Sequence, residues 1–230
     1  MPFGSLGLGL SLGGRRVGDA GNMPATFTVT AGDGTKYVRV QVSETTTVTP
    51  AGGTSIRIGS SGEFVTTPLT LAANTNQDIY FKDAGSFTIP KRKLVTYLYL
   101  YSLGSSVITG DITGMKLTYL YLSSLGSSLT YGTNPLNITN TNGIKLLGNT
   151  VFATDAEYAR LIHDAAIATW GGAYPFRIDA GTNDNCPDWD TVKSDVAVLR
   201  GKASWTIIPA AWLTTGGGSW PTNWYEYTGE

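Results

Sequence analysis

The chain has 230 residues and a formal net charge of −1, from 16 basic and 17 acidic side chains, with one histidine and one cysteine. That balance leaves no electrostatic footprint for a nucleic acid or an anionic membrane, and it excludes an internal disulfide framework, a cysteine-based zinc site and a multi-histidine metal centre. Hydrophobic residues at 41% suffice for a packed core. Charged residues at 14%, against about 25% in an ordinary soluble domain, and 29 glycines point to a β-rich extracellular or particle-surface protein. No stretch reaches the ~18 consecutive apolar residues needed to span a bilayer.

The first elements are extended. Leu6, Leu8, Leu10 and Leu12 alternate with glycine and serine, so a strand here puts all four leucines on one face. Arg15 and Arg16 follow this apolar stretch rather than preceding it, which is the reverse of a secretory signal. Residues 1–22 therefore read as an arm that orders by adding to a partner's sheet, with Leu6, Leu8, Leu10, Leu12, Arg15 and Arg16 as its assembly residues.

From Phe27 to Leu71 all signals are β. Phe27 and Val29 alternate with threonines, Gly32-Asp33-Gly34 predicts a hairpin turn, and Val38, Val40 and Val42 share a strand face. Pro50-Ala51-Gly52-Gly53 predicts another turn, followed by short strands at Ile56–Ile58 and near Phe64–Leu71. Residues 23–92 thus read as a small antiparallel β unit.

The centre of the chain repeats itself. Thr96-Tyr97-Leu98-Tyr99-Leu100-Tyr101-Ser102-Leu103-Gly104-Ser105-Ser106 recurs as Thr118 to Ser128, 22 residues on, with Ser123 in place of Tyr101. Ile79-Tyr80-Phe81 matches the same frame upstream, while Leu136-Asn137-Ile138 and Phe176-Arg177-Ile178 match it downstream. A period of 20–29 residues with alternating leucines is a leucine-rich-repeat signature. Leu98 and Leu100 then point one way, and Tyr97 and Tyr99 the other. Stacked parallel strands lie ~4.8 Å apart, which sets Tyr97 beside Tyr119 and Tyr99 beside Tyr121. This tyrosine ladder suits a sugar or a protein partner. Equally, such pairs stabilise a sheet without binding anything.

Two helices follow. Thr154 and Glu157 form a capping box before Tyr158, Leu161, Ile162 and Ala165, with Gly171-Gly172 as the stop. The second runs from Trp189 to Leu199 with Val192 and Val196 on one face and Gly201 as its stop, and Trp205-Thr206-Ile207-Ile208 closes as a strand.

Catalytic signatures are missing. Neither a P-loop nor a G-x-G-x-x-G run occurs. His163 sits mid-helix as a surface histidine, and Cys186 reads as a loop thiol. Asp179, Asn183, Asp184, Asn185, Asp188 and Asp190 concentrate oxygen ligands, but no EF-hand frame fits them and Asp188 is placed to cap the second helix.

The repeats, preceded by IYFKDAGSFTIP, resemble the irregular leucine-rich repeats of bacterial surface proteins and of tailed-bacteriophage proteins. The run TDAEYARLIHDAA, FRIDAGTND and SDVAVLRGKASWTII resembles the closing units of such solenoids, and the Gly/Leu start resembles the N-terminal arms of phage virion proteins. The expected fold is mixed β with α: the arm, the antiparallel unit, a short leucine-rich-repeat-like solenoid with parallel strands over residues 93–210 and two C-terminal helices, and a tail at 211–230. The resemblance implies a non-enzymatic structural or adhesive component of a phage particle, a fibre, appendage or decoration protein. It would assemble in the host cytoplasm and be displayed on the virion surface. Its partners would be other virion proteins through the arm, further copies of itself, and a host-surface protein or glycan, with no cofactor, metal, nucleic acid or membrane insertion. The alternative is a bacterial cell-surface module that binds protein or glycan.

Overall fold

The structure, a computed structural model, describes residues 20–104, 107–109, 112, 114–123, 143–147, 154–168, 175–179, 186–202, 204–205 and 220–227. The arm residues Leu6, Leu8, Leu10, Leu12, Arg15 and Arg16 lie outside these residues, as do Leu136–Ile138, the Gly171-Gly172 stop, Asn183 to Asn185 and Thr206 to Ile208.

The first half consists of β1 (Ala25–Val29), β2 (Asp33–Val42), β3 (Thr46–Ala51), β4 (Ser55–Ile58), β5 (Leu69–Leu71), β6 (Gln77–Lys82), β7 (Gly85–Ile89), β8 (Val95–Tyr101) and β9 (Val107–Thr109). The odd-numbered strands form one sheet, ordered β5-β3-β7-β1-β9 and antiparallel throughout. The even-numbered strands lie in the other. Each connection from β1 to β9 therefore crosses between layers. The Gly32-Asp33-Gly34 turn makes no hairpin: β1 pairs with β7 and β9, while β2 pairs with β6 and β8. Asp33 instead opens β2, its carboxylate accepting from the backbone N–H and hydroxyl of Thr35 at 2.8 and 2.6 Å. Those bonds hold the Asp33 carboxyl below its ordinary pKa.

Alternation inside each strand supplies the core. Ala25, Phe27 and Val29 from one layer meet Val38, Val40, Ile79 and Phe81 from the other in a single buried cluster. Phe87 bridges them, 5.1 Å from Phe27 within its sheet and 6.1 Å from Phe81 across the gap.

The second half adds β10 (Tyr119–Ser123), β11 (Gly143–Leu147), α1 (Asp155–Ile167), β12 (Pro175–Asp179), α2 (Trp189–Lys202) and β13 (Ser204–Trp205). The larger sheet runs β13-β12-β11-β10-β8-β2-β6-β4. Its first five strands pair in parallel and the remainder in antiparallel. The α1 and α2 segments are the crossovers that parallel neighbours require. Leu161, Ile162, Ala165, Val192, Val196 and Leu199 belong to the same core as Leu120, Leu122, Ile144 and Leu146, so the helices cover the leucine side of the sheet.

This overturns the leucine-rich-repeat-like solenoid. The fold is mixed α/β, with one antiparallel and one mixed sheet. A solenoid needs coils that contact only their neighbours. Here β8 pairs backwards with β2, and its leucines enter a core shared with the other sheet. The Ile79-Tyr80-Phe81 echo is β6, which lies antiparallel to β2 and β4 and does not neighbour β8.

Local signals in the helices are explicit. The Thr154 hydroxyl accepts from the Glu157 N–H at 3.3 Å, and the Glu157 carboxylate accepts from the Thr154 N–H at 3.1 Å. Asp188 accepts from the Asp190 N–H at 3.0 Å at the start of α2. Gly201 lies inside α2 rather than after it. Lys202 instead reaches back to the end of α1, donating to the Ala166 carbonyl at 2.6 Å.

Two glycines carry opposite predictions. Gly85 has φ +147, and a Cβ there would overlap the Ala51 carbonyl and lie 2.5 Å from the Thr54 hydroxyl. Gly85→Ala should therefore lower stability by about 2 kcal/mol or more in urea unfolding. A Cβ at helical Gly201 would meet nothing within 4 Å, so Gly201→Ala should raise stability by about 0.5 kcal/mol.

Candidate functional site

The two outward faces of this fold differ sharply in chemistry. On the smaller sheet, register aligns Thr26 with Thr88 and Thr88 with Thr49, and Thr47 with Thr70. The Thr26 and Thr88 hydroxyls lie 3.2 Å apart. Such β-branched polar side chains suit a pleated surface in water.

On the larger sheet the corresponding positions hold tyrosine. Tyr37 on β2, Tyr80 on β6, Tyr97, Tyr99 and Tyr101 on β8, and Tyr119 and Tyr121 on β10 each lie next to a buried residue of their strand without being buried themselves. These are seven of the twelve tyrosines in the chain. Parallel pairing sets Tyr97 opposite Tyr119 and Tyr99 opposite Tyr121, with both pairs of rings stacked at 4.6 Å and 17° or 16° between planes. Tyr37 meets Tyr80 at 5.2 Å. Each ring is half-buried except Tyr101, which is 51% exposed.

Two arginines tie the rings together. Arg39 lies 5.5 Å from the Tyr37 centroid and 5.7 Å from that of Tyr99, while it donates to both oxygens of Asp78 at 2.5 and 2.9 Å. Such a two-pronged pair orients the guanidinium strongly. Arg57 lies between Phe64 at 4.5 Å and Tyr80 at 5.1 Å. Among the described residues its buried Nε has no hydrogen-bond partner, while an Nη donates to the Gly62 carbonyl at 3.3 Å, so ring faces supply much of its surroundings. The sequence reading named Tyr97, Tyr99, Tyr119 and Tyr121 but missed Tyr37, Tyr80, Arg39 and Arg57. Their alternation in β2, β4 and β6 was legible, but the antiparallel join that adds them to the ladder was not.

Stacking also decides what the face presents. Paired rings cover one another's faces, which leaves the edges and hydroxyls of the ladder as its uncovered parts. Burial raises the phenol pKa of Tyr97 and Tyr99, and raises that of Tyr119 to about 12, helped by the neighbouring phenols. At neutral pH these hydroxyls are uncharged and both donate and accept.

The other candidates stay apart from this face. His163 Nδ1 lies 3.1 Å from the Asp195 carboxylate, joining α1 to α2. Cys186 is buried at 1% exposure, which removes it from solvent. Of the acidic stretch, Asp188 serves the α2 start and Asp190 pairs with Lys193 at 2.6 Å. Among the described residues no cluster of three or more His, Cys, Asp and Glu side chains is placed to hold a metal ion, and no helix is long and apolar enough to cross a membrane.

A pH prediction follows from Tyr119. Its folded pKa is raised above the unfolded value near 10, so its contribution to stability is intact below pH ~10 and lost as pH rises toward about 12. Stability measured in urea across that window should fall less steeply in Tyr119→Phe than in the parent chain.

No protein-family model, curated protein or solved structure matches this chain.

Proposed function

We propose that the protein is a non-enzymatic structural or adhesive component of a tailed-bacteriophage particle, and that it grips its partner through the tyrosine face. One observation carries the binding role. The two sheets sandwich one core, yet one solvent side is built of threonine and the other of tyrosine and arginine. Threonine is the lower-risk choice for a wetted sheet, since exposed aromatic area promotes association. Tyrosine and arginine are also the residue types that dominate binding energy at protein interfaces.

The partner that best suits this face is a protein. A sugar ring packs its C–H face on an open aromatic face, whereas the central rings here are stacked against each other. Ring edges, neutral hydroxyls and the Arg39–Asp78 pair match the polar and apolar mix of a protein surface. Assignment to a phage particle rests on the resemblance of the TYLYL repeats and of the Gly/Leu arm, with the arm as anchor and the sheet face as the grip.

The test separates the two roles. Labelled full-length protein, a version lacking residues 1–22 and a Tyr99→Ser/Tyr121→Ser variant are compared for incorporation into particles and for adsorption to cells. Loss of incorporation on removing the arm, and loss of adsorption in a folded double variant, are the expected results. Unchanged adsorption by that variant would retire the tyrosine face as a binding site. Export of the full-length chain to the surface of its own cell would overturn the particle assignment in favour of a bacterial surface module.

A further inference from the structure

A second aromatic assembly forms where residues 220–227 fold back on the start of α2. Trp220 anchors it. Its indole N–H donates to the Pro187 carbonyl at 2.9 Å, and its ring lies 5.0 Å from Trp189 and 5.9 Å from Trp224. Arg200 fixes the far end by donating to the Tyr227 carbonyl at 2.5 Å.

These anchors leave a pocket of about 350 Å³ lined by Trp189, Pro221, Asn223, Glu226 and Tyr227. The Trp189 and Tyr227 rings are 5.4 Å apart with their planes at 77°, so they form two walls of a corner. Glu226 supplies negative charge beside them, its carboxylate accepting from the Asn223 amide at 3.4 Å. None of these lining residues is basic. The nearby Lys193 is engaged by Asp190 at 2.6 Å.

We propose that this pocket binds a quaternary or methylated ammonium group. The faces of tryptophan and tyrosine carry negative quadrupole charge and attract a cation within ~6 Å. Rings near a right angle suit a compact, nearly spherical cation, which touches both walls. A flat sugar ring lies on one wall and leaves the other bare. Glu226 compensates the ligand's charge and disfavours anions. An ammonium without N–H groups also needs no hydrogen-bond acceptor, so contact with ring faces costs it little desolvation. The site is independent of the tyrosine face and of the function proposed for it.

Choline is the probe, titrated against the full chain with tryptophan emission as readout. Its neutral isostere, with carbon in place of the charged nitrogen, and glucose serve as controls. Saturable binding of choline is expected, with the isostere at least about fivefold weaker. Glu226→Gln should weaken choline by several fold. Tyr227→Leu should abolish saturation while leaving the circular dichroism unchanged, since the carbonyl used by Arg200 remains. Phosphatidylcholine vesicles form a separate arm: binding to vesicles and free choline indicates a lipid headgroup, and binding to choline alone a soluble or polymer-borne one. Equal binding of the isostere, binding of glucose without choline, or unaltered affinity in both folded variants would overturn the proposal.

Discussion

β8 is hydrogen-bonded antiparallel to β2 along one edge and parallel to β10 along the other. Everything on either side inherits its register from this strand. Val40 lies opposite Leu98, and Leu98 opposite Leu120, so the inward row crosses the change of direction unbroken. A slip of one residue at either edge would exchange the leucine and tyrosine faces, exposing one and burying the other. Polar side chains brace the junction. The Thr118 hydroxyl donates to the Thr96 carbonyl at 3.0 Å, and the Thr96 hydroxyl to the Gln41 carbonyl at 3.3 Å. Hence the ladder follows from the burial of Leu98, Leu100, Leu120 and Leu122, and tyrosine occupies what burial leaves outside.

This division explains what could be read from the residues. Near-identity of Thr96–Ser106 and Thr118–Ser128 specifies two strands of equal pattern, and equal patterns stack in register, so Tyr97 against Tyr119 is legible in the sequence. The capping box at Thr154 and Glu157 was equally legible, because both partners lie within one turn. Layer membership was not. Phe27 and Val38 alternate with polar neighbours in the same way whether their strands pair in one sheet or face each other across a core. Period two reports a buried side, not the identity of the neighbour. That ambiguity made Gly32-Asp33-Gly34 look like a hairpin and made parallel strands look like a solenoid, although β8 continues an antiparallel sheet.

The same ambiguity hid most of the candidate site. Arg39 and Tyr37 belong to β2, which no repeat links to Tyr99, and the repeat echo at Tyr80 does not reveal that β6 lies beyond β2. Only the antiparallel register of Arg39 opposite Tyr99 and opposite Asp78 brings ring, guanidinium and carboxylate together. The aromatic pocket near the C-terminus has a similar origin. Trp189 and Tyr227 meet because residues 220–227 return to α2, a contact no periodicity announces. Both sites thus depend on tertiary pairing, and the two present different chemistry: ring edges on the sheet and a ring corner beside α2.

The β2–β8 junction joins the sandwich and the helical half around one shared core, which makes them a single cooperative molecule. All six tryptophans, Trp170, Trp189, Trp205, Trp212, Trp220 and Trp224, lie in the C-terminal part of the chain. The tyrosine ladder lies at the junction and in the sandwich. Urea unfolding followed by tryptophan emission therefore reports the C-terminal part, while the near-ultraviolet circular dichroism lost in Tyr99→Ser/Tyr121→Ser isolates the signal of the ladder tyrosines. A shared core requires a single transition with coincident midpoints from both signals. Two transitions, with tryptophan emission changing while the tyrosine signal stays native, would contradict it.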